Sequence, residues 1–326
     1  MRRSHPEASR ILSAHGSQAW LDTHPPVVAH LKGRALQPVA GDWAIIDRSH
    51  APPLITEILP QENRILRSEG PKTKVLAANI DLAILVVSGH PVFSAELGLR
   101  VLASLNAESI PAIIALNKVD LIDSLPLAKR QLQALLPRVD QKTTTHLGPA
   151  AVQICEISCR QEVYGGIAPL LHALQQQLGS KPSPTIALIG QSGMGKSSLL
   201  NRMIPEAQAQ TQAISEALQT GRHTTTVSRG YLWAEGPLGQ PAWVIDTPGF
   251  QRFGLSHLST SQVAEIFPDW AEIQSRTGCK FYNCMHQHEP GCAIKAEIEA
   301  LEARDPSRAQ HLGLRRSGWL SLLNGL

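Results

Sequence analysis

Aromatic side chains are scarce in this chain of 326 residues: six Trp, three Tyr and five Phe, or 4% of the total. The first 72 residues hold only Trp20 and Trp43, too few for a stacking platform that would take single-stranded nucleic acid there. Cysteine is also sparse, odd in number and unevenly spread, with Cys155 and Cys159 mid-chain and Cys279, Cys284 and Cys292 crowded late. That pattern argues against a disulfide framework and for a metal. No stretch of about 18 uncharged apolar residues occurs, which excludes a membrane-spanning helix. The start, Met1 to Glu7, leads into no apolar segment, so a cytosolic protein is expected. Charge is nearly balanced, 30 Lys+Arg against 27 Asp+Glu, which permits an anionic partner without demanding one. With 43% hydrophobic residues, wholesale disorder is excluded, and the length points to two or three domains.

What is present falls into three regions. Short β-like runs at 26–29, 41–46, 53–59 and 64–66, broken by turn residues, suggest a small barrel or sandwich. From Asp81 the pattern becomes apolar strands (82–87, 112–116, 152–157, 185–189, 243–245) alternating with helical stretches (96–108, 127–136, 167–178, 196–203). This is the signature of βαβ units around a parallel sheet covered on both faces. After about residue 257 comes the Cys cluster, then a charged helical tail from 293 to about 304.

Between an apolar strand and a helical run lies Gly190-Gln191-Ser192-Gly193-Met194-Gly195-Lys196-Ser197-Ser198, matching G-x-x-x-x-G-K-[ST] in the context that motif requires. Backbone N–H groups of such a loop turn inward around phosphate oxygens, Lys196 reaches the outer phosphates, and the Ser197 hydroxyl is expected to bind Mg²⁺. About fifty residues on, a strand ends at Asp246 and continues Thr247-Pro248-Gly249, which supplies the second carboxylate near the metal. Alone, that tetrapeptide reads as a turn. Between them, Gly221 to Thr226 includes His223 and Thr225, read both as a loop able to close on γ-phosphate and Mg²⁺ and as the start of a β-strand.

Asn117-Lys118-Val119-Asp120 follows a strand end and suits guanine, because one carboxylate can accept from both N1–H and the 2-amino group. Adenine offers neither donor there, which disfavours an ATPase. Ser158, at the end of the next strand, would support the base. Asn117 to Asp120, Ser158, the P-loop, Thr225 and Asp246 to Gly249 are guanine-nucleotide motifs in circularly permuted order. With Gly41-Asp42-Trp43, Ala77 to Asp81 and the late Cys/His spacing, the chain closely resembles the RsgA (YjeQ) family of small ribosomal subunit biogenesis GTPases. The resemblance covers most of the chain. One departure is Ile157-Ser158-Cys159, where the family usually has Ser-Ala; contacts from the backbone should survive a Cys.

Phe250 stands where Ras-like enzymes carry a water-orienting Gln, so intrinsic hydrolysis should be slow. His223 is the remaining candidate to position water, a role the resemblance also suggests. Cys279, Cys284, His286 and Cys292 offer a closed Cys₃His set for one structural Zn²⁺, with His288 an alternative to His286. A full coordination shell disfavours a zinc-dependent enzyme.

The resemblance implies a multidomain fold: an OB-fold-like N-terminal β-barrel (1–74), a central α/β P-loop GTPase domain with circularly permuted motifs (75–256) and a C-terminal zinc-binding helical domain (257–326). It implies GTP hydrolysis coupled to assembly of the 30S ribosomal subunit, 16S rRNA as partner of the barrel, GTP and GDP as ligands, no membrane, and a monomer. Lys32, Arg34, Arg64, Arg67, Lys72, Lys74 and the Arg315-Arg316 pair are candidate backbone contacts to folded RNA. Phe250 keeps open a factor whose nucleotide is mainly structural.

Overall fold

The computed structural model describes residues 8–23, 26–33, 35–70, 72–137, 145–160, 165–210, 227–236 and 238–324. Strands β1 (Ala8–His15), β2 (Gln18–Leu21), β3 (Val27–Leu31), β4 (Trp43–Asp47) and β5 (Leu54–Ile58) close into a barrel in the order β1-β2-β3-β5-β4. Alternation does the work here. Every second residue points inward, so Ile11, Ala19, Leu21, Ala29, Ala44, Ile46 and Ile55 form a small core of their own. The expected β-barrel is therefore present. A hairpin, β6 (Arg64–Glu69) and β7 (Lys72–Ala78), follows, and β7 runs across the 74/75 boundary expected from sequence.

A seven-stranded sheet comes next, from β8 (Leu82–Ser88), β9 (Ala112–Asn117), β10 (Thr145–Leu147), β11 (Ala150–Glu156), β12 (Thr185–Ile189), β13 (Arg229–Trp233) and β14 (Ala242–Asp246). Its order among the described residues is β10-β11-β9-β8-β12-β14-β13, parallel inside with an antiparallel strand at each edge. Strands β8, β9, β12 and β14 are buried at every position, as strands covered on both faces must be. The covering helices are α1 (Ala95–Ala107), α2 (Leu125–Leu135), α3 (Ala168–Leu178) and α4 (Lys196–Met203). The edge strand β10 was not legible as a strand, since its three residues form no apolar run, whereas β13 is the strand expected to start after Thr226.

The barrel docks on this sheet through buried polar groups. Arg10, from β1, lies over the rings of Trp43 (4.9 Å) and Trp243 (5.5 Å) and donates to Thr185 Oγ1. Gly41 must be glycine: a Cβ there would fall 2.1 Å from the Ala78 carbonyl oxygen.

Four helices close the chain: α5 (Thr260–Ala264), α6 (Pro268–Thr277), α7 (Ala293–Arg304) and α8 (Pro306–Leu323). The helical tail read over 293 to about 304 is α7, and a further helix not read from sequence, α8, follows it where Asp305 accepts from Arg308 N and Pro306 takes the first turn. Ala309, Leu312, Arg315, Trp319 and Leu322 form the buried face of α8, which lies against α1 and α2. No helix among the described residues is long and apolar enough to cross a membrane.

Candidate nucleotide site and metal centre

Parallel strands aim their carboxyl ends at one crevice, and β8, β9, β12 and β14 bring their following loops together there. After β12 the glycine-rich loop turns into α4. Gly195 takes φ +99°, and Lys196, 9% exposed, folds back so that Nζ donates to Gly190 O at 3.0 Å. Burial lowers the Lys196 pKa, with the Asp246 charge opposing. Gln191, at the edge of the same crevice, accepts from Ser94 N (2.8 Å) at the start of α1. Ser192, Gly193, Ser197, Ser198, Asp246 and Gly249 line a cavity of about 530 Å³ with Lys196.

Asp246, at the end of β14, is buried, and its carboxyl is pushed up to about 6 by that burial, against the pull of Lys196 and Arg229. Its Oδ1 has no hydrogen-bond partner among the described residues. A buried carboxylate oxygen left open next to a phosphate-type loop fits a divalent cation, for which Ser197 and Asp246 supply hard oxygen donors.

At the end of β9, Asn117 is 1% exposed; its Nδ2 donates to Met194 O at 3.0 Å, while Oδ1 is unpartnered. Lys118 Nζ bridges His90 O (2.7 Å) and Gly193 O (2.8 Å), tying the base loop to the phosphate loop. Asp120 accepts from Ser158 Oγ at 2.7 Å, and Arg160 stands 3.3 Å from its other oxygen. Asn117, Lys118, Asp120, Cys159 and Arg160 line a cavity of about 310 Å³, with Ser158 buried behind Asp120, and its walls share Lys118, Gly195 and Ser198 with the larger one. The two cavities form one crevice. Motifs separated by 73 to 129 positions in the chain thus meet. Sequence reasoning passed over Arg160, although it directly follows Ile157-Ser158-Cys159. Burial raises the Cys159 thiol to about 11, so it stays protonated and apolar in character. His223 and Thr225 lie outside the described residues.

Farther along, the ligand atoms of Cys279, Cys284, His286 and Cys292 lie within 4.8 Å of one another. His286 Nδ1 faces the three sulfurs at 3.8, 3.6 and 3.3 Å, and His288 is exposed and not in the cluster, which decides between the two histidines. Burial, then the adjacent thiols, raise Cys284 to about 12, so three thiolates can sit together only with a cation among them. The donor set therefore fits a metal. Gln274 Nε2 lies 3.0 Å from His286 Nε2, and Trp270 packs edge-on at 5.0 Å.

Residues 58–256 match the family described as RsgA GTPase. The chain belongs to the RsgA GTPase family. It is 35% identical over 296 residues to the Small ribosomal subunit biogenesis GTPase RsgA of Burkholderia pseudomallei (strain 668), covering 90% of this chain and 85% of that protein. The RsgA of Bordetella pertussis is 37% identical over 295 residues, 89% of each chain. The crystal structure of YjeQ from Thermotoga maritima aligns with TM-score 0.62 at 22% identity, over 97% of this chain and 98% of its own. That of YloQ, a circularly permuted GTPase, aligns with TM-score 0.57 at 22% identity, over 98% and 96%. These likenesses establish the fold.

The RsgA architecture revises one group of expected RNA contacts. Arg315 is fully buried, donating to Asp269 (2.8 and 3.1 Å), Leu135 O (2.7 Å) and Ile266 O (2.9 Å) and lying 4.5 Å over Phe267. Arg316 donates to His286 O (2.8 Å) and Gln287 O (2.6 Å) of the knuckle. Both are spent on structure. In the hairpin, Arg67 and Lys74 pair with Glu69, and Arg64 stands 3.8 Å from Glu108. Lys32 and Lys72 are exposed, and Arg34 lies outside the described residues.

Proposed function

We propose that this chain hydrolyses GTP to GDP and phosphate and serves as a late assembly factor of the 30S ribosomal subunit, with hydrolysis stimulated by the particle and coupled to release. The observation that carries the reading is one crevice with two unpartnered buried oxygens, Asn117 Oδ1 at the base end and Asp246 Oδ1 at the phosphate end. Family membership and the names of the relatives support it.

In this reading Asp120 accepts from the guanine N1–H and 2-amino groups, Ser158 holds that carboxylate, and Asn117 and Lys118 join the base loop to the phosphate loop. Backbone N–H groups from Gly190 to Ser198 cradle the phosphates, Lys196 neutralises the outer ones, and Gly249 approaches the γ-phosphate. Ser197, Thr225 and Asp246 would hold Mg²⁺, which when bound draws charge off the phosphate oxygens. His223 orients the attacking water. Cys279, Cys284, His286 and Cys292 hold one structural Zn²⁺. The division into 1–74, 75–256 and 257–326, 16S rRNA as partner, a cytoplasmic location and a monomeric state belong to the same proposal.

Phosphate release measured with and without purified small subunits tests it: release should be slow alone and faster with subunits, and His223→Ala should abolish the acceleration. Competition by GTP but not ATP should accompany this. A second reading, a factor with a mainly structural nucleotide, is favoured by Phe250, 2% exposed and without any group to orient water. An equally flat rate in both conditions would select it.

A further inference from the structure

Among the described aromatic residues nine are buried and Trp20 and Trp43 are half-buried; the two exposed rings are neighbours, Phe281 at 41% and Tyr282 at 102%. In a chain so short of aromatics, two adjacent rings in solvent carry a cost in exposed apolar area that packing elsewhere avoids. Their setting is rigid. Lys280 N donates to Gly291 O at 2.9 Å, Cys284 N donates to Phe281 O at 3.2 Å, and the flanking Cys279 and Cys284 belong to the metal cluster. The tight turn 281–284 leaves Tyr282 and Asn283 exposed at its tip.

The tip itself carries no carboxylate, and the nearby Arg276 stands 3.9 Å from Glu297. From Arg276 to His288 the chain carries Arg276, Lys280 and two histidines and no carboxylate. Lys280 Nζ stands 5.7 Å from the Phe281 ring centroid. Glu289, the nearest acid along the chain, is occupied in accepting from Met285 N (2.9 Å) and Gln287 N (2.8 Å). Flat rings beside cations, held by a closed knuckle, are the elements that bind a splayed-out base and its phosphates.

We propose that loop 280–283 is a stacking site for an unpaired RNA base, with Tyr282 and Phe281 as the platform and Lys280 meeting the adjoining phosphate. The inference deepens the ribosomal reading and rests on it for the source of the RNA. It also relocates base stacking from the aromatic-poor barrel to the far end of the chain.

The test uses full-length, metal-loaded protein and the anisotropy of a short labelled oligouridylate, with an RNA duplex as control. Tyr282→Ala should weaken oligouridylate binding about 5- to 150-fold, Tyr282→Trp should retain it, and the duplex should be indifferent. Tyr282→Leu keeps bulk without a ring face and should bind as weakly as the Ala variant. Metal content and basal GTP turnover should be unchanged in all three. Wild-type affinity for oligouridylate in the Leu variant overturns the proposal. So does a Tyr282→Ala variant that loses only intact subunits, because the rings would then meet protein. Absence of subunit-stimulated turnover in the wild type would count against the ribosomal reading alone.

Discussion

Asn117 lies directly behind Gly195: a Cβ added to Gly195 would fall 2.3 Å from Asn117 Nδ2, the atom that donates to Met194 O at 3.0 Å. The base loop and the phosphate loop thus fit together only because one residue has no side chain. Gly195→Ala would collide with Asn117 and strain a backbone at φ +99° by about 1–2 kcal/mol. Affinity for a fluorescent GDP analogue should fall about 10-fold or more, and the melting temperature of the ligand-free protein should drop by a few degrees at about that strain.

Asp120→Asn replaces an acceptor by a donor opposite the guanine 2-amino group. Ser158 still reaches the Asn oxygen, so the loop should hold its shape. Guanine nucleotides should lose roughly 100-fold and xanthine nucleotides, whose 2-oxo group accepts, should gain. Competition binding of the two nucleotide series checks this; unchanged guanine preference contradicts the assignment.

Asp42, fully buried beneath the barrel, accepts from Val39 N (2.9 Å) and Gln61 Nε2 (2.8 Å), yet burial raises its carboxyl from 3.8 to about 6. Because the folded chain takes up this proton more readily than the unfolded one, the contribution is fully present below pH about 3.8 and is lost as pH rises through about 6. The gap amounts to at most about 3 kcal/mol. Urea denaturation across that range should show wild-type stability falling relative to Asp42→Asn as pH rises.

Chelation should unravel the knuckle, since without a cation the thiols take up protons and the ligand bonds that join the four side chains are lost. Trp270 and Trp319, which lie 5.0 and 6.4 Å from the His286 ring, should report it by a fluorescence change. One zinc per chain by atomic absorption, lost in Cys292→Ser, is the expected stoichiometry.

Arg315→Ala would empty a fully buried site and leave the half-buried Asp269 and the carbonyls of Leu135 and Ile266 without their donor. Loss of such a partner costs about 3–5 kcal/mol. Denaturant titration should register it, and Arg316→Ala, whose bonds lie on the knuckle rim, should cost less.

Much of the site was readable from the linear order of residues because its chemistry is local. A loop that wraps phosphate needs its glycines, Lys196 and Ser197 within eight consecutive positions, and the Cys₃His set lies within fourteen. Fully buried strands announced themselves as unbroken apolar runs for the same reason. Arg160 was missed because its role depends on how close β9 and β11 bring two loops. The edge strand β10 was missed because three residues on an open flank are too few to show an apolar signature.

The chain's own order of residues determined the motif set, its permutation and the identity of the donor atoms, since each follows from covalent neighbours and short-range backbone geometry. Only the tertiary structure decided that Arg315 is an internal clamp, that His286 and not His288 joins the cysteines, and that Asn117 closes on Gly195. Those outcomes turn on distances between segments remote in sequence, which burial of the shared core sets and local propensity does not encode.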